Sequence, residues 1–494
     1  MQRAVLSGWI AALGVTTVTL AACSATDESA GDAAVTSGGP SAAGMGNAPT
    51  AGTAGVAGNP VVDTAGSGGL PSVAGNGGAS GNGGASNGAS GAGAGTAGDN
   101  TAAGSGAVPL GGSEDGGIDC PKPTLPAAGA LTPFETHHDP FTTLSGSRIT
   151  KKTEWACRRA EIKAQVEEYE SGPKPAVSKD QVAARFADGE LSVTVKNGDK
   201  SVSFSIDIKR PATAGSGPIP LLLGVGGNFL GSKVFDDNGV AQATFDNNAL
   251  GDQNGKRGVG SFYTLYGADH PASSMIAWAW GVSRIVDALE KTPEANIDPK
   301  RVAVTGCSRN GKGALTVGAF DERIVLTIPQ ESGAGGSASW RVSQAASSAG
   351  QNVQTLSNAA NEQPWFRASF GTSFGGSKVS TLPFDHHLVM GLVAPRALLV
   401  IDNRIDWLGI DSTFTAGSIA HAIWEAFGLP GTMGYWQLGG HDHCSFPAAQ
   451  TAMLGAYVKK FLVGGGTDDT QVLRSDGAKA DLAKWMKWTP PQLQ

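Results

Sequence analysis

Apolar residues recur along this chain in two distinct patterns. Between Leu191 and Ile208 they alternate: Val193 and Val195 on one arm, Val202, Phe204, Ile206 and Ile208 on the other, about Asn197-Gly198. A period of two around an Asn-Gly corner predicts a β-hairpin. Farther on come short, continuously apolar runs, which read as strands covered on both faces. They span Pro218 to Val225, Arg301 to Thr305, Ile324 to Pro329, Arg396 to Ile401 and Tyr435 to Leu438. Helical stretches lie between and around them. One starts at Thr153 and ends near Tyr169. Ala277 to Leu289 sets Val282, Ile285, Val286 and Leu289 on one face. Ala314 to Phe320 follows the second strand, and Pro447 to Phe461 comes last. Strands alternating with helices predict an α/β protein: a three-layer sandwich with a mostly parallel central sheet, preceded by the hairpin.

The first quarter of the chain follows neither pattern. Arg3 begins a short positive region, and the apolar stretch Ile10 to Val18 stops too soon for a membrane span, which reads as an export signal. It ends in Leu20-Ala21-Ala22-Cys23, similar to the lipobox of bacterial lipoproteins, in which the thiol of Cys23 would take a lipid. Residues 1–23 are thus expected to be a signal segment, and the protein exported, lipid-anchored at the cell surface or outer membrane, or secreted. Residues 24–117 are Gly, Ala, Ser, Asn and Thr with no aromatic residue, so they bury too little apolar area to offset the entropy of ordering. They read as a flexible tether, roughly 55 Å end to end as a coil. The folded domain is expected over 118–494. The net charge of −7 has a local source, because the tether carries seven acids and no Lys or Arg. The remainder balances, which argues against a nucleic-acid surface. Nothing demands more than a monomer.

The candidate chemistry begins at Gly306-Cys307-Ser308-Arg309-Asn310-Gly311-Lys312, a serine between glycines at a strand-to-helix turn. Such a turn is the nucleophile elbow of an α/β-hydrolase, although the second glycine comes one residue later than in the usual motif. Gly226-Gly227-Asn228, after an earlier strand, stands where backbone N–H groups of that fold build part of an oxyanion hole. Later strand ends deliver acids and histidines in the order Ser, acid, His. A serine hydroxyl needs a base, and the base needs a carboxylate to fix its tautomer. His441 and His443 compete for the first role, Glu331 and Asp406 for the second. The five cysteines bear on this choice. With Cys23 assigned to lipid, Cys120, Cys157, Cys307 and Cys444 allow three pairings. Joining Cys307 to Cys444 would staple the serine turn to the segment of His443 and favour that histidine. Cys120 with Cys157 would then pin the first segment to the first helix. The other reading of His441-Asp442-His443 is a metal pair, but no third ligand cluster is evident, and no metal or organic cofactor is expected.

The stretch from Gly306 to Ala314 resembles the signature of glucuronoyl esterases, carbohydrate esterase family fifteen. So do Trp278 to Arg284, Ile328 to Gly336, Leu382 to His387, and His443 to Pro447. The resemblance runs from about Cys120 to Phe461, with a cysteine pattern closer to the fungal branch, except that Ser339 stands where that branch has a cysteine before Trp340. It implies hydrolysis of the ester between 4-O-methyl-glucuronic acid on xylan and lignin alcohols. It implies a triad of Ser308, His443 and Glu331, with Asp406 as the alternative acid, and Arg309 as an oxyanion contact. Lys312, Gln354, Glu362 and Trp407 would bind the uronate. Two other readings are an acetylxylan esterase on the same fold and a silent carbohydrate-binding lipoprotein.

Overall fold

The structure, a computed structural model, describes residues 113–117 and 119–494. The signal segment, Cys23 and nearly all of the tether lie outside the described residues. Among the described residues, no helix is long and apolar enough to cross a membrane.

The expected hairpin is two strands of a three-stranded antiparallel sheet, β1 (Val182–Ala187), β2 (Glu190–Asn197) and β3 (Lys200–Asp207), in that order. The strand that periodicity did not reveal, β1, is rich in alanine and carries Arg185, so its alternation is weak. Seven further strands form one parallel sheet. They are β4 (Ile219–Val225), β5 (Ala241–Phe245), β6 (Ile297–Cys307), β7 (Ile324–Gln330), β8 (Ala397–Asp402), β9 (Met433–Gln437) and β10 (Leu473–Ser475). Their order across the sheet is β10-β9-β8-β7-β6-β4-β5.

Alternate residues of the central strands feed two separate cores, which is why their sequences are apolar throughout. Leu221, Leu223, Val225, Val302, Val304, Leu398 and Val400 pack with the helices Ser274–Leu289 and Arg309–Phe320. Leu222, Ala303, Leu326, Ile328, Leu399 and Ile401 point the other way, under Leu454, Tyr457 and Leu462. Helices therefore cover both faces, giving the three layers of an α/β-hydrolase. The helix expected over Pro447 to Phe461 divides into an α segment, Thr451–Tyr457, and a wider π turn, Val458–Val463, and it is not the last: a short helix, Leu482–Trp485, follows.

Packing starts ahead of Ile118, inside the stretch that composition assigned to the tether. Glu114 accepts from the ammonium of Lys174 at 2.5 Å and pairs with Arg284, while the amide of Glu322 donates to its carbonyl at 3.0 Å. Asp115 meets Lys163 at 2.5 Å. Composition averages over such a turn: one carboxylate aimed at buried cations docks it without any apolar surface. A disulfide joins Cys120 to Cys157 close by.

Candidate active site

The site gathers at the edge where the parallel strands end. Ser308 follows β6 directly, at φ 59° and ψ −127°, and the helix Arg309–Phe320 starts with the next residue. The late glycine of the motif has a steric cause. A Cβ on Gly311 would lie 2.5 Å from the carbonyl oxygen of Gln330, so the helix can abut β7 only without one. Asn310, where the usual motif has glycine, is accommodated from the other side. Its amide fills the space that a Cβ on Gly226 would need and accepts from Asn247 at 3.0 Å. The Gly226 N–H, expected near an oxyanion, instead donates to the Phe245 carbonyl at 3.0 Å, as part of the sheet. The amide of Arg309, opening its helix, has no intrahelical acceptor within reach, and its side chain is exposed.

Glu331 stands one residue beyond β7, fully buried, with its amide donating to Ile401 at 2.7 Å. Its Oε2 accepts from Nδ1 of His443 (2.8 Å), the amide of Cys444 (2.9 Å) and Nδ2 of Asn403 (3.3 Å). Burial alone would push this carboxyl up. The bonds from His443 and Cys444 outweigh it and hold the group below the usual glutamate range. The other ring nitrogen of His443, Nε2, is buried and has no hydrogen-bond partner among the described residues. His441 is differently employed: its Nε2 faces the Leu438 carbonyl at 2.8 Å, its Nδ1 that of Asp442 at 3.1 Å, and Glu331 is 3.7 Å away. Cys307 and Cys444 are disulfide-bonded with Cα atoms 5.7 Å apart, which sets the serine turn beside the His443 segment. The two sulfurs and His443 lie within metal-ligand distance of one another, but sulfurs joined in a disulfide offer no thiolate.

Three residues here hold a left-handed backbone without being glycine: Ser308 at 59°, Glu331 at 46° and Cys444 at 65°. Such conformations persist only where the surroundings enforce them, and they cluster at functional sites.

Asp406, the alternative acid, is not brought to either histidine. β8 ends at Asp402, and the short turn Asp406–Leu408 carries Asp406 past the site to line a separate hollow with Arg404, Asp411 and Lys479. Its neighbour Trp407 does reach the site. The indole crosses the His443 ring edge to face, with centroids 4.9 Å apart. The Gln354 amide donates to the Trp407 carbonyl at 3.1 Å, and the Gln354 side chain donates to Glu362 at 2.5 Å. Lys312 is buried one helical turn beyond Ser308. Its ammonium donates to the Ser332 carbonyl at 2.5 Å and lies 5.5 Å from the centroid of Trp365. Burial lowers its pKa to about 8, even though the carboxylates of Glu362 and Asp402 oppose that shift.

Two groups of this site escaped the sequence reading as functional residues. Asn403 bridges Glu331 to the His441 carbonyl, at 3.3 and 3.1 Å. Asp402 is buried and accepts from Tyr435 (2.9 Å), Ser337 (3.0 Å) and the Asn403 amide (2.9 Å); burial pushes its pKa up to about 6. The available signal was a polar pair closing an otherwise apolar strand.

A family model described as "Glucuronyl esterase, fungi" matches residues 193–428. A 4-O-methyl-glucuronoyl methylesterase of Hypocrea jecorina is 44% identical over 380 residues, which cover 76% of this chain and 80% of that protein. The solved glucuronoyl esterase catalytic domain from Hypocrea jecorina superposes with a TM-score of 0.71 at 44% identity, covering 75% of this chain and all of that one. A glucuronoyl esterase from Sporotrichum thermophile, solved as a serine-to-alanine mutant with methyl 4-O-methyl-beta-D-glucopyranuronate, gives a TM-score of 0.69 at 42% identity, over 76% of this chain and all of that one.

Proposed function

This chain belongs to the glucuronoyl esterases of carbohydrate esterase family 15, and on that premise we propose that Ser308, His443 and Glu331 cleave the ester between 4-O-methyl-glucuronic acid of glucuronoxylan and lignin alcohols. The observation that carries the assignment is the imidazole of His443, tied at Nδ1 to a buried carboxylate and unpartnered at Nε2 among the described residues, beside a strained serine turn. A base oriented in this way takes a proton from one nitrogen while the carboxylate stabilises the imidazolium.

In the first half-reaction Oγ of Ser308 attacks the uronoyl carbonyl as Nε2 of His443 takes its proton. The C–O bond to the alcohol breaks, and the imidazolium returns the proton to the departing oxygen. Water, deprotonated by the same nitrogen, then attacks the acyl-enzyme and releases the uronic acid. Charge on the carbonyl oxygen is stabilised by Arg309, through its guanidinium and its free amide at a helix start. Lys312, Gln354, Glu362 and Trp407 hold the sugar. No metal or organic cofactor is required by this chemistry.

The test is hydrolysis of the methyl and benzyl esters of 4-O-methyl-glucuronic acid beside an acetylated xylan. The expected result is free uronic acid and the alcohol, with a loss on the order of 10⁵-fold in Ser308→Ala. Preference for the acetate, or an unimpaired Ser308→Ala, would overturn the assignment.

For its location the proposal is export, with the lipobox cysteine Cys23 carrying a lipid and the Gly/Ala/Ser-rich stretch spacing the enzyme from its anchor. The support is the run Leu20-Ala21-Ala22-Cys23 and the composition that follows it. Labelling of the exported protein with a fatty-acid probe, lost in Cys23→Ala, is the expected outcome.

A further inference from the structure

Glu331 is held by more than the imidazole it serves. Its Oε2 takes three donors, from His443, Cys444 and Asn403, while Oε1 has only Nε2 of Gln330, at 3.4 Å. Donors on one oxygen therefore decide how the carboxylate faces the ring. Two of them are neighbours in sequence, on the segment after β9. The third comes from another strand: Asn403 directly follows β8 and is almost wholly buried.

The Asn403 side chain cannot turn round. Its Oδ1 accepts from the amide of Arg404 at 2.7 Å, and its own amide donates to Asp402 at 2.9 Å. Flipping the carboxamide would set an oxygen against Oε2 of Glu331 and against the His441 carbonyl, both of them acceptors. Nδ2 is thus committed to that side. It lies 3.3 Å from Oε2, 3.1 Å from the His441 carbonyl oxygen and 3.2 Å from Nδ1 of His441. One nitrogen joins residues at three neighbouring strand ends: Glu331 after β7, Asn403 after β8 and His441 after β9. It also touches both the carboxylate and the histidine that the triad leaves out. That histidine is close enough to compete, with Nδ1 3.7 Å from Oε1 of Glu331.

We infer that Asn403 is a positioning residue for the esterase reaction: it commits Glu331 to His443, holding Oε2 on that imidazole and His441 off the carboxylate. The inference rests on the triad proposed above. The amide also tempers the carboxylate. A donor on Oε2 draws charge from the oxygen that faces His443, and a neutral amide does so without altering the net charge of the site. The other charged groups of the site are Asp402 at the end of β8, His441 after β9, and Arg309 and Lys312 on the helix after the serine. All four are kept in the variants below, so a changed response to pH belongs to Asn403.

The test is kcat and KM for the benzyl ester of glucuronic acid across pH, in Asn403→Ala and Asn403→Leu, each alone and combined with Glu331→Gln. Leucine keeps the branched shape of the carboxamide without its donor. Melting curves fix a temperature at which each variant is folded. The expected loss in kcat is about five- to thirtyfold in each single variant, with KM within about twofold of wild type. The acid limb of kcat/KM should move up by about half a pH unit, because a carboxylate with fewer donors stabilises the imidazolium more strongly. On the Glu331→Gln background the same substitutions should cost less than about twofold, since the group they act through is already altered. An unchanged kcat, an acid limb that stays in place, or an undiminished loss on the Glu331→Gln background would overturn this role while leaving the esterase assignment intact. A wild-type enzyme that leaves the ester uncleaved would overturn that assignment, and the role of Asn403 with it.

Discussion

Where the strands of the central sheet begin, three buried cations meet three carboxylates. Lys174 reaches Glu114 at 2.5 Å, Arg284 reaches Asp287 at 2.8 Å, and Arg323 reaches Asp287 at 2.5 Å and Asp321 at 2.7 Å. Where the same strands end, charge and polarity are left open. Among the described residues, Nε2 of His443 has no partner, Lys312 has a carbonyl oxygen but no carboxylate within ion-pairing distance, and three residues of the site hold left-handed backbones. Both edges are built on the same parallel strands, so packing does not account for the difference. Charge closed on itself fixes how helices and turns dock. Charge held open is available to a ligand, and the surrounding fold must stabilise it.

The largest effect is expected at the open edge. Glu331→Gln keeps the size of the side chain but removes the charge that fixes the His443 tautomer. The expected loss in kcat is roughly 10³- to 10⁴-fold, with a melting temperature within a few degrees of wild type. Asp406→Ala, on the small benzyl ester, is expected to change kcat by less than about twofold, because Asp406 lies outside hydrogen-bond reach of His443. Single-turnover kinetics on that ester measure both. A larger loss in Asp406→Ala than in Glu331→Gln would reverse the assignment of the acid.

At the closed edge the expected signs are opposite. Glu114→Gln leaves Lys174 buried without its carboxylate, and removing one member of a buried pair costs about 3 kcal/mol. Denaturant unfolding should show that loss, while kcat and KM for the benzyl ester at 25 °C stay at wild-type values. The pH dependence follows from the pKa of Glu114, which burial raises but Lys174 and Arg284 lower further, for a net downward shift. A carboxyl held below its unfolded value contributes stability that is present above that value and lost as pH falls through the folded one. The gap between wild type and Glu114→Gln should therefore close in acid.

The contrast between the edges also marks what the sequence could reveal. β4, β6, β7, β8 and β9 were legible because both faces of each are covered, which demands unbroken apolar runs. β1, β5 and β10 were not, since Val-Ala-Ala-Arg-Phe-Ala, Ala-Gln-Ala-Thr-Phe and Leu-Arg-Ser are short or rich in small and polar residues and depend on their neighbours to become strands. At the site, the serine turn could be read from local spacing alone. The choice of Glu331 over Asp406 depends on how far the turn after β8 carries the chain, and spacing does not encode that. The docking of Glu114 was illegible for the same reason: its partners, Lys174 and Arg284, lie 60 and 170 positions away.

The smallest expected effect probes both edges through one side chain. Lys312 is a buried ammonium without a paired carboxylate, and its pKa of about 8 lies below the ordinary 10.5. Between those two values the unfolded chain binds more protons than the folded one, so stability should rise as pH increases from about 8 to 10.5. Below 8 the folded state carries the full cost of the buried charge. Lys312→Met, of similar length and uncharged, should therefore stabilise the protein at pH 7 by about 1–3 kcal/mol. Binding should move the other way. The ammonium is the stronger donor to a sugar oxygen, so the KM of the wild-type enzyme should rise a few-fold as pH passes about 8. In Lys312→Met the KM should be high at every pH, without that limb. A variant less stable than wild type at pH 7, or one that keeps the limb, would mean that this lysine belongs with the closed charges of the opposite edge and holds the fold instead of the substrate.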